Sequence, residues 1–226
     1  SSTSAITGAW QATDDIRDHM LYFLENHDEQ RVASSFFAGD AQKGVPGLVV
    51  SALLHQNPLM IYFGQEYGER GMDKEGFSGN DGRTTIFDYW SVDTIVRAAE
   101  RKLTAQEKHL KVIYDKVIGI ATTEKAVVEG ASFDLMYVNG RYNHEYDFIR
   151  KAGAEVLLVV ANFADAAQAL GITIPGHAFD FLKMKEKNVK ATDLLSGEKK
   201  ELTMKRDESV IVDVKAHHAV VLKFKA

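Results

Sequence analysis

Residues 20–31 read Met20-Leu-Tyr-Phe-Leu-Glu-Asn-His-Asp-Glu-Gln-Arg31, and the fold turns on how this stretch is understood. Met20 to Leu24 is an apolar run with aromatics, the pattern of a buried strand. It stops abruptly in Glu25-Asn26-His27-Asp28, four polar or ionisable side chains that a core strand cannot bury unpaired. Polar groups gathered at the carboxyl end of a parallel strand are where barrel enzymes keep their active sites. A plainer reading stands beside this one. Asn and Asp are favoured at helix N-termini, and Asn26-His27-Asp28 would then only cap the next helix. Arg31 reads as an ion-pair partner that fixes the loop rather than as a substrate contact.

Working outward, Ser4 to Ile16 has the polarity of a loop or short helix, with Gly8 weakening the helix. On the other side, Gln42 to His55 is dense in Leu, Val and Ala and predicts a well-buried helix, in which Pro46 fits only near the first turn. A second apolar strand is expected at Pro58-Leu-Met-Ile-Tyr-Phe63, followed by Gly64-Gln65-Glu66. A helix of this length between two strands suits a βα unit. Tyr67 to Trp90 is a long glycine-rich loop, and loops of that length in compact domains usually carry function. Thr104-Ala-Gln-Glu107 is a capping box, and Leu110, Ile113, Tyr114, Val117, Ile118 and Ala121 follow it at helical spacing.

Around Glu124 to Ala131 the helical period ends. Short segments with turn signals take over: Ser132–Val138, Glu145–Arg150, Glu155–Phe163, Gly171–Ile174, Ala191–Leu195, Lys200–Met204, Ser209–Val214 and Ala219–Phe224. Such a series predicts an antiparallel β-sandwich. The expected organisation is therefore residues 1–127 as α/β and residues 128–226 as a separate all-β domain whose local strands close on themselves.

Composition narrows the function classes. The chain has 226 residues, no cysteine and a net charge of -5, which removes disulfide frameworks, thiol nucleophiles and thiolate metal sites. Residues 1–127 hold 13 Lys+Arg against 18 Asp+Glu, and residues 128–226 hold 14 against 14, so neither half suits a nucleic acid partner. No apolar run approaches the ~20 residues that span a bilayer. His217 and His218 are adjacent on an expected strand and point to opposite faces, which defeats joint ligation; His109 and His144 lack spaced partners. No metal or other cofactor is called for, and no phosphate loop or serine elbow is present. The compartment is left open. The start at Ser-Ser-Thr-Ser, without Met or a signal-like apolar segment, reads as the trimmed end of something longer.

Phe23-Leu-Glu-Asn-His-Asp28 closely resembles the motif after the seventh barrel strand of the α-amylase family of glycoside hydrolases. Tyr62-Phe-Gly-Gln-Glu66 is similar to the end of that family's eighth strand, and the two motifs stand in the family's order and spacing. Val156–Phe163 and Asp193–Gly197 resemble its C-terminal β domain. The resemblance covers essentially the whole chain, but only the last two βα units of the (β/α)8 TIM barrel and the β domain beyond. It implies that Asp28 is the third catalytic carboxylate, and that His27 contacts the sugar at the cleavage site. Asp81 and Arg83, followed by Phe87, Tyr89 and Trp90, look like the segment lining the donor side of the cleft, although their spacing departs from the commonest family pattern. A surface ion pair is the plainer reading of Asp81 and Arg83.

The activity implied is retaining hydrolysis or transglycosylation of α-linked glucans such as starch and maltooligosaccharides. The family's nucleophile setting, Gly-x-Arg-x-Asp, is absent here, and a full barrel takes ~250 residues. The expected partners are thus an α-glucan, the missing N-terminal part of the barrel and, through unpaired strand edges, further copies of the chain. A non-catalytic carbohydrate-binding or scaffold role is the alternative.

Overall fold

Two very short strands, β1 (Tyr22–Phe23) and β2 (Leu59–Met60), run parallel, with Tyr22 opposite Leu59 and Phe23 opposite Met60. The computed structural model describes residues 2–72, 81–87 and 92–226, and among them this sheet has only two strands. The sequence predicts longer strands, 20–24 and 58–63. Regular pairing stops early because each strand has a single neighbour, and Leu21 and Phe23 remain 47% and 42% exposed.

Helix α1 (Ser4–Ala12) precedes this pair, and α2 (Val45–Leu53) connects its two strands. The predicted start of α2 at Gln42 is instead a 3-10 turn over Ala41–Gly44, because the Asp40 carboxylate accepts from the Gln42 amide at 2.9 Å. Pro46 lies in the first turn of α2, where its missing N–H leaves no bond unmade. Gly47 lets α2 approach β1 closely, since a Cβ there would lie 3.3 Å from the Leu24 side chain.

Helix α3 (Asp93–Ala99) is joined to α4 (Ala105–Thr123) by the capping box. The Thr104 hydroxyl accepts from the Glu107 amide at 3.2 Å, and the Glu107 carboxylate accepts from the Thr104 amide at 2.7 Å. Arg97 of α3 donates to the other Glu107 oxygen at 2.7 Å, so one carboxylate starts α4 and ties α3 to it. Helix α5 (Lys125–Val128) follows directly.

The rest is antiparallel sheet. Its elements are β3 (Ala131–Asp134), α6 (Met136–Asn139), β4 (Glu145–Ala152), β5 (Glu155–Asn162), β6 (Gln168–Thr173), α7 (Gly176–Phe181), β7 (Lys187–Asp193), β8 (Lys199–Met204), β9 (Ser209–Val214) and β10 (His218–Lys225). Six strands form one sheet in the order β3-β4-β5-β10-β7-β8, and β6 pairs with β9 in a second, smaller sheet. The expected strand over 132–138 ends at Asp134, whose carboxylate accepts from the Met136 amide at 2.7 Å and turns the chain into α6. His217 is not on a strand. It sits at φ 48 in the turn before β10, and its ring bonds Asp165 at 2.8 Å.

Strand β5 shows how the layers stack. Val156 through Ala161 are all fully buried, which a strand achieves only when both faces are covered. Leu157, Val159 and Ala161 face a core shared with Val45, Leu48 and Leu53 of α2 and Leu110, Ile113 and Val117 of α4. Val156, Leu158 and Val160 face a second core with Leu170 and Ile172 of β6 and Val210 and Val212 of β9. The large sheet is thus the middle layer, helices on one side and β6–β9 on the other, and the first core runs across residues 127 and 128.

Candidate active site

Beyond the carboxyl end of β1 the chain divides its acids between the interior and solvent. Glu25 is 2% exposed and Arg31 fully buried. Arg31 donates to Glu25 at 2.8 Å, to the Phe63 carbonyl after β2 at 2.8 Å and to the Thr84 hydroxyl at 2.6 and 2.9 Å. Its guanidinium also lies 4.3 Å from the Tyr62 ring centroid, a favourable cation–π position. The second Glu25 oxygen accepts from the Val32 amide at 2.8 Å. Burial pushes the Glu25 carboxyl above its usual range, and Arg31 opposes that shift. One side chain therefore pins the loop after β1, the end of β2 and the segment around Thr84 to each other. The reading of Arg31 as a loop-fixing ion pair holds.

His27 and Asp28 face outward from this base, with side chains 50% and 74% exposed and 3.4 Å between His27 Nε2 and the Asp28 carboxylate. Their backbone is set by Asn26, whose side-chain oxygen accepts from the Asp28 amide at 2.8 Å and from the Glu29 amide at 2.9 Å. Asn26 thus caps a bend. The next helical turn begins only at Ala41, so these residues do not start a helix.

Asp81 and Arg83 lie against the same loop. Gln30 donates to the Asp81 carbonyl at 3.5 Å, and the Arg31 amide donates to the Gly82 carbonyl at 2.7 Å. Arg83 Nε is 3.2 Å from the Asp81 carboxylate, which also accepts from the Arg83 amide at 3.0 Å. The two form a local ion pair. Phe87 is largely exposed; Tyr89 and Trp90 lie outside the described residues.

A second buried acid, Glu69, carried no signal beyond its glycine-flanked setting in Gly68-Glu69-Arg70-Gly71. Its carboxylate accepts from the Arg70 and Gly71 amides at 2.9 Å each and from the Thr94 hydroxyl at 2.5 Å, and it folds the segment after β2 onto α3. Gln65 bridges the Tyr62 amide and the buried Tyr114 hydroxyl of α4. Both buried carboxylates are thus fully engaged by donors, whereas Asp28 and its neighbour Glu29 are the exposed acids of this loop. Among the described residues no three His, Asp or Glu side chains are grouped to hold a metal ion, and no helix is long and apolar enough to cross a membrane.

No family model and no curated protein matches the sequence. Solved structures do match. A γ-CGTase from Alkalophilic bacillus clarkii aligns over 100% of this chain and 29% of its own, with 16% identity and a TM-score of 0.65. An α-amylase from Geobacillus thermoleovorans, complexed with acarbose, aligns over 100% and 44%, with 14% identity and a TM-score of 0.65. AmyP in complex with maltose aligns over 90% and 40%, with 16% identity and a TM-score of 0.60. The chain has the fold of the C-terminal region of α-amylase-type glycoside hydrolases. It spans less than half the length of each of these three proteins.

Proposed function

We propose that this chain is the C-terminal portion of a retaining glycoside hydrolase that acts on α-linked glucans such as starch and maltooligosaccharides. Residues 1–127 contribute the last two βα units of a (β/α)8 barrel, and residues 128–226 form the β domain behind it. The observation that carries the reading is the sorting of carboxylates at the end of the parallel pair: Glu25 and Glu69 are consumed by internal donors, while Asp28 and His27 are presented to solvent on a braced loop. Maltose and acarbose in the complexes of the similar proteins support the α-glucan assignment.

In this reading Asp28 accepts hydrogen bonds from sugar hydroxyls, and these strengthen as positive charge develops in the oxocarbenium-like transition state. His27 donates to a hydroxyl of the same ring. Asp81 and Arg83 line the donor side. The nucleophile and the general acid, which a retaining enzyme holds about 5–5.5 Å apart, come from the part of the barrel outside these residues, and that part covers the exposed Leu21 and Phe23. Without it the same surface drives self-association.

The test is Asp28→Asn in the enzyme that carries this chain together with the rest of its barrel. The expected result is a fall in kcat by orders of magnitude with the fold intact, since the lost interaction belongs to the transition state, and a smaller loss for His27→Ala. The 226 residues alone should show no turnover of maltoheptaose in a reducing-sugar assay. Wild-type kcat/KM in both variants would overturn the assignment.

A further inference from the structure

A cavity of about 310 Å³ opens at the seam between the helices and the sheet. Its walls include Trp10 of α1, Leu54 and His55 at the end of α2, Ser132 of β3, Phe181 of α7 and the buried Arg150 of β4. The acids beside it are already satisfied. Asp134 accepts from the Thr7 and Tyr146 hydroxyls at 2.6 and 2.7 Å, from the Trp10 indole at 3.1 Å and from the Met136 amide at 2.7 Å, and Asp18 is solvated, 3.8 Å from Arg17. Donors, by contrast, are left over. Arg150 makes four hydrogen bonds, all to carbonyls, which leaves one of the five guanidinium N–H groups unused. No carboxylate pairs with it among the described residues, and burial together with the charge of Arg17 lowers its pKa to about 10. Ser132 lies directly opposite Arg150 in the β3–β4 ladder, and its hydroxyl has no hydrogen-bond partner among the described residues. His55 is held neutral, its pKa lowered to about 4 by burial, Arg17 and Arg150. With its Nδ1 3.3 Å from the Tyr22 hydroxyl, a phenol that donates there leaves the ring proton on Nε2, where nothing accepts it.

We propose that this cavity binds a small organic oxyanion, a carboxylate or phosphate on a compact apolar body. The anionic head meets Arg150, Ser132 and His55, and the body lies against Trp10, Leu54 and Phe181. Three observations carry the choice. A buried cation without a counter-charge is costly to keep, and an oxyanion supplies that charge together with acceptors for the three unused donors. Hydrogen bonds with an ionised partner are about twice as strong as neutral ones, so an uncharged ligand, a sugar included, gains far less here. The volume sits at the lower end of small-molecule sites and is about twice the ~150 Å³ that holds one benzene ring, which leaves room for a ring and its head group but not for a folded partner. The negative charge of Asp134 opposes such a ligand only weakly, because four donors already face it. The site shares no residue with the loop of His27 and Asp28 and does not rest on the proposed function. Its walls come from both sides of residue 127, so a bound anion also fastens the helices to the sheet.

The test uses the full 226-residue chain carrying Trp90→Phe, which leaves Trp10 as its single tryptophan. Benzoate and phenyl phosphate are titrated at neutral pH and constant ionic strength, with benzyl alcohol as the uncharged molecule of the same shape, while Trp10 emission and the melting temperature are followed. At least one of the two anions should change Trp10 emission saturably and raise the melting temperature, since a ligand of the folded state stabilises it; which of them does so identifies the head group. Benzyl alcohol should bind at least tenfold more weakly. Ser132→Ala, which removes a hydroxyl without a partner, should leave the melting temperature of the free protein unchanged and weaken anion binding fivefold or more. Phe181→Ala, at an exposed position, should weaken it as well through the lost contact with the body. Equal affinity for benzyl alcohol would make the cavity merely apolar and overturn the proposal. It is equally overturned if neither anion gives a saturable response, or if the response is the same in wild type, Ser132→Ala and Phe181→Ala, which would place the anion elsewhere.

Discussion

Arg31 is where the consequences of a single residue are largest, because it satisfies Glu25, a carbonyl and a hydroxyl at once without access to water. Removing one member of a buried pair leaves the other charge unpaired, and Arg31→Met should cost about 3–5 kcal/mol. Changing both residues, as Glu25→Leu with Arg31→Met, should cost less than the sum of the two single changes; urea unfolding of the three variants checks this, and simple additivity would refute the coupling. The sequence announced Arg31 as an ion-pair partner but not its mate. Asp28 and Glu29 are nearer in the chain than Glu25, and only burial separates the structural acid from the two exposed ones. Two other buried groups set a pH dependence. Asp147 of β4 bonds Asn139 at 2.6 Å through one oxygen, while burial raises its pKa from the ordinary 3.8 to about 7. A raised acid keeps its proton in the folded state, so its contribution to stability is present at low pH and is lost as pH climbs from about 4 to about 7. His55 has the opposite shift: burial, aided by Arg17 and Arg150, lowers it from 6.5 to about 4, and its contribution is lost as pH falls from 6.5 towards 4. Each group alone changes stability by up to about 1.4 kcal/mol per pH unit in its window, and between pH 4 and 6.5 the two slopes oppose. Asp147→Asn should therefore gain stability relative to wild type steadily between pH 4 and 7 and then hold level. Thermal melts of both proteins across that range test it, and a difference that does not vary with pH would show that Asp147 is ionised in the fold.

Elements were legible where local chemistry alone sets them. The Thr104 capping box was readable because both its bonds lie within four residues, and the structure forms both. Loss of the cap in Thr104→Ala should cost about 1 kcal/mol, with Thr104→Ser restoring it. Glu107→Ala should cost more, since the same carboxylate holds Arg97 and the start of α3; equal melting-point losses for Thr104→Ala and Glu107→Ala would mean that the link to α3 adds nothing. Boundaries were less legible where a side chain from a few residues away competes with the ladder. Asp134 stops β3 and Asp40 shifts the start of α2 by this means, and neither carboxylate announces in sequence which amide it will choose. Strands β1 and β2 are short for a different reason, the lack of a second neighbour among the described residues, which no property of residues 20–24 or 58–63 encodes.

For the whole molecule, the alternation along β5 decides how the chain divides. Its unbroken apolar run was readable as a strand, but a run buried on both faces also requires a cover on each side, and one cover is supplied by α2 and α4. The sequence predicts a β domain that closes on itself, because a change of period at Glu124–Ala131 marks where helices end and strands begin without saying what the helices rest on. The structure instead lays the helices on the sheet, and Arg150 fastens the joint. This buried strand residue of β4 donates to the carbonyls of Leu54 at the end of α2, of Ala126 and Val127 in α5, and of Gly130. Three of these four acceptors precede residue 128. A chain of residues 128–226 would therefore leave Arg150 with one of its four carbonyls and expose it together with Tyr146, Phe148, Leu157, Val159 and Val221 on one face of its sheet. Such a face is an association surface. The expected outcome is that residues 128–226 alone bind a hydrophobic dye strongly, unfold in urea without the cooperative transition of the full chain and scatter light as multimers, while residues 41–226, which restore α2, α4 and α5, regain the transition. A cooperative, monomeric 128–226 would show instead that β4, β5 and β10 can repack without their helices, and that the division at residue 127 is one of folding as well as of sequence pattern.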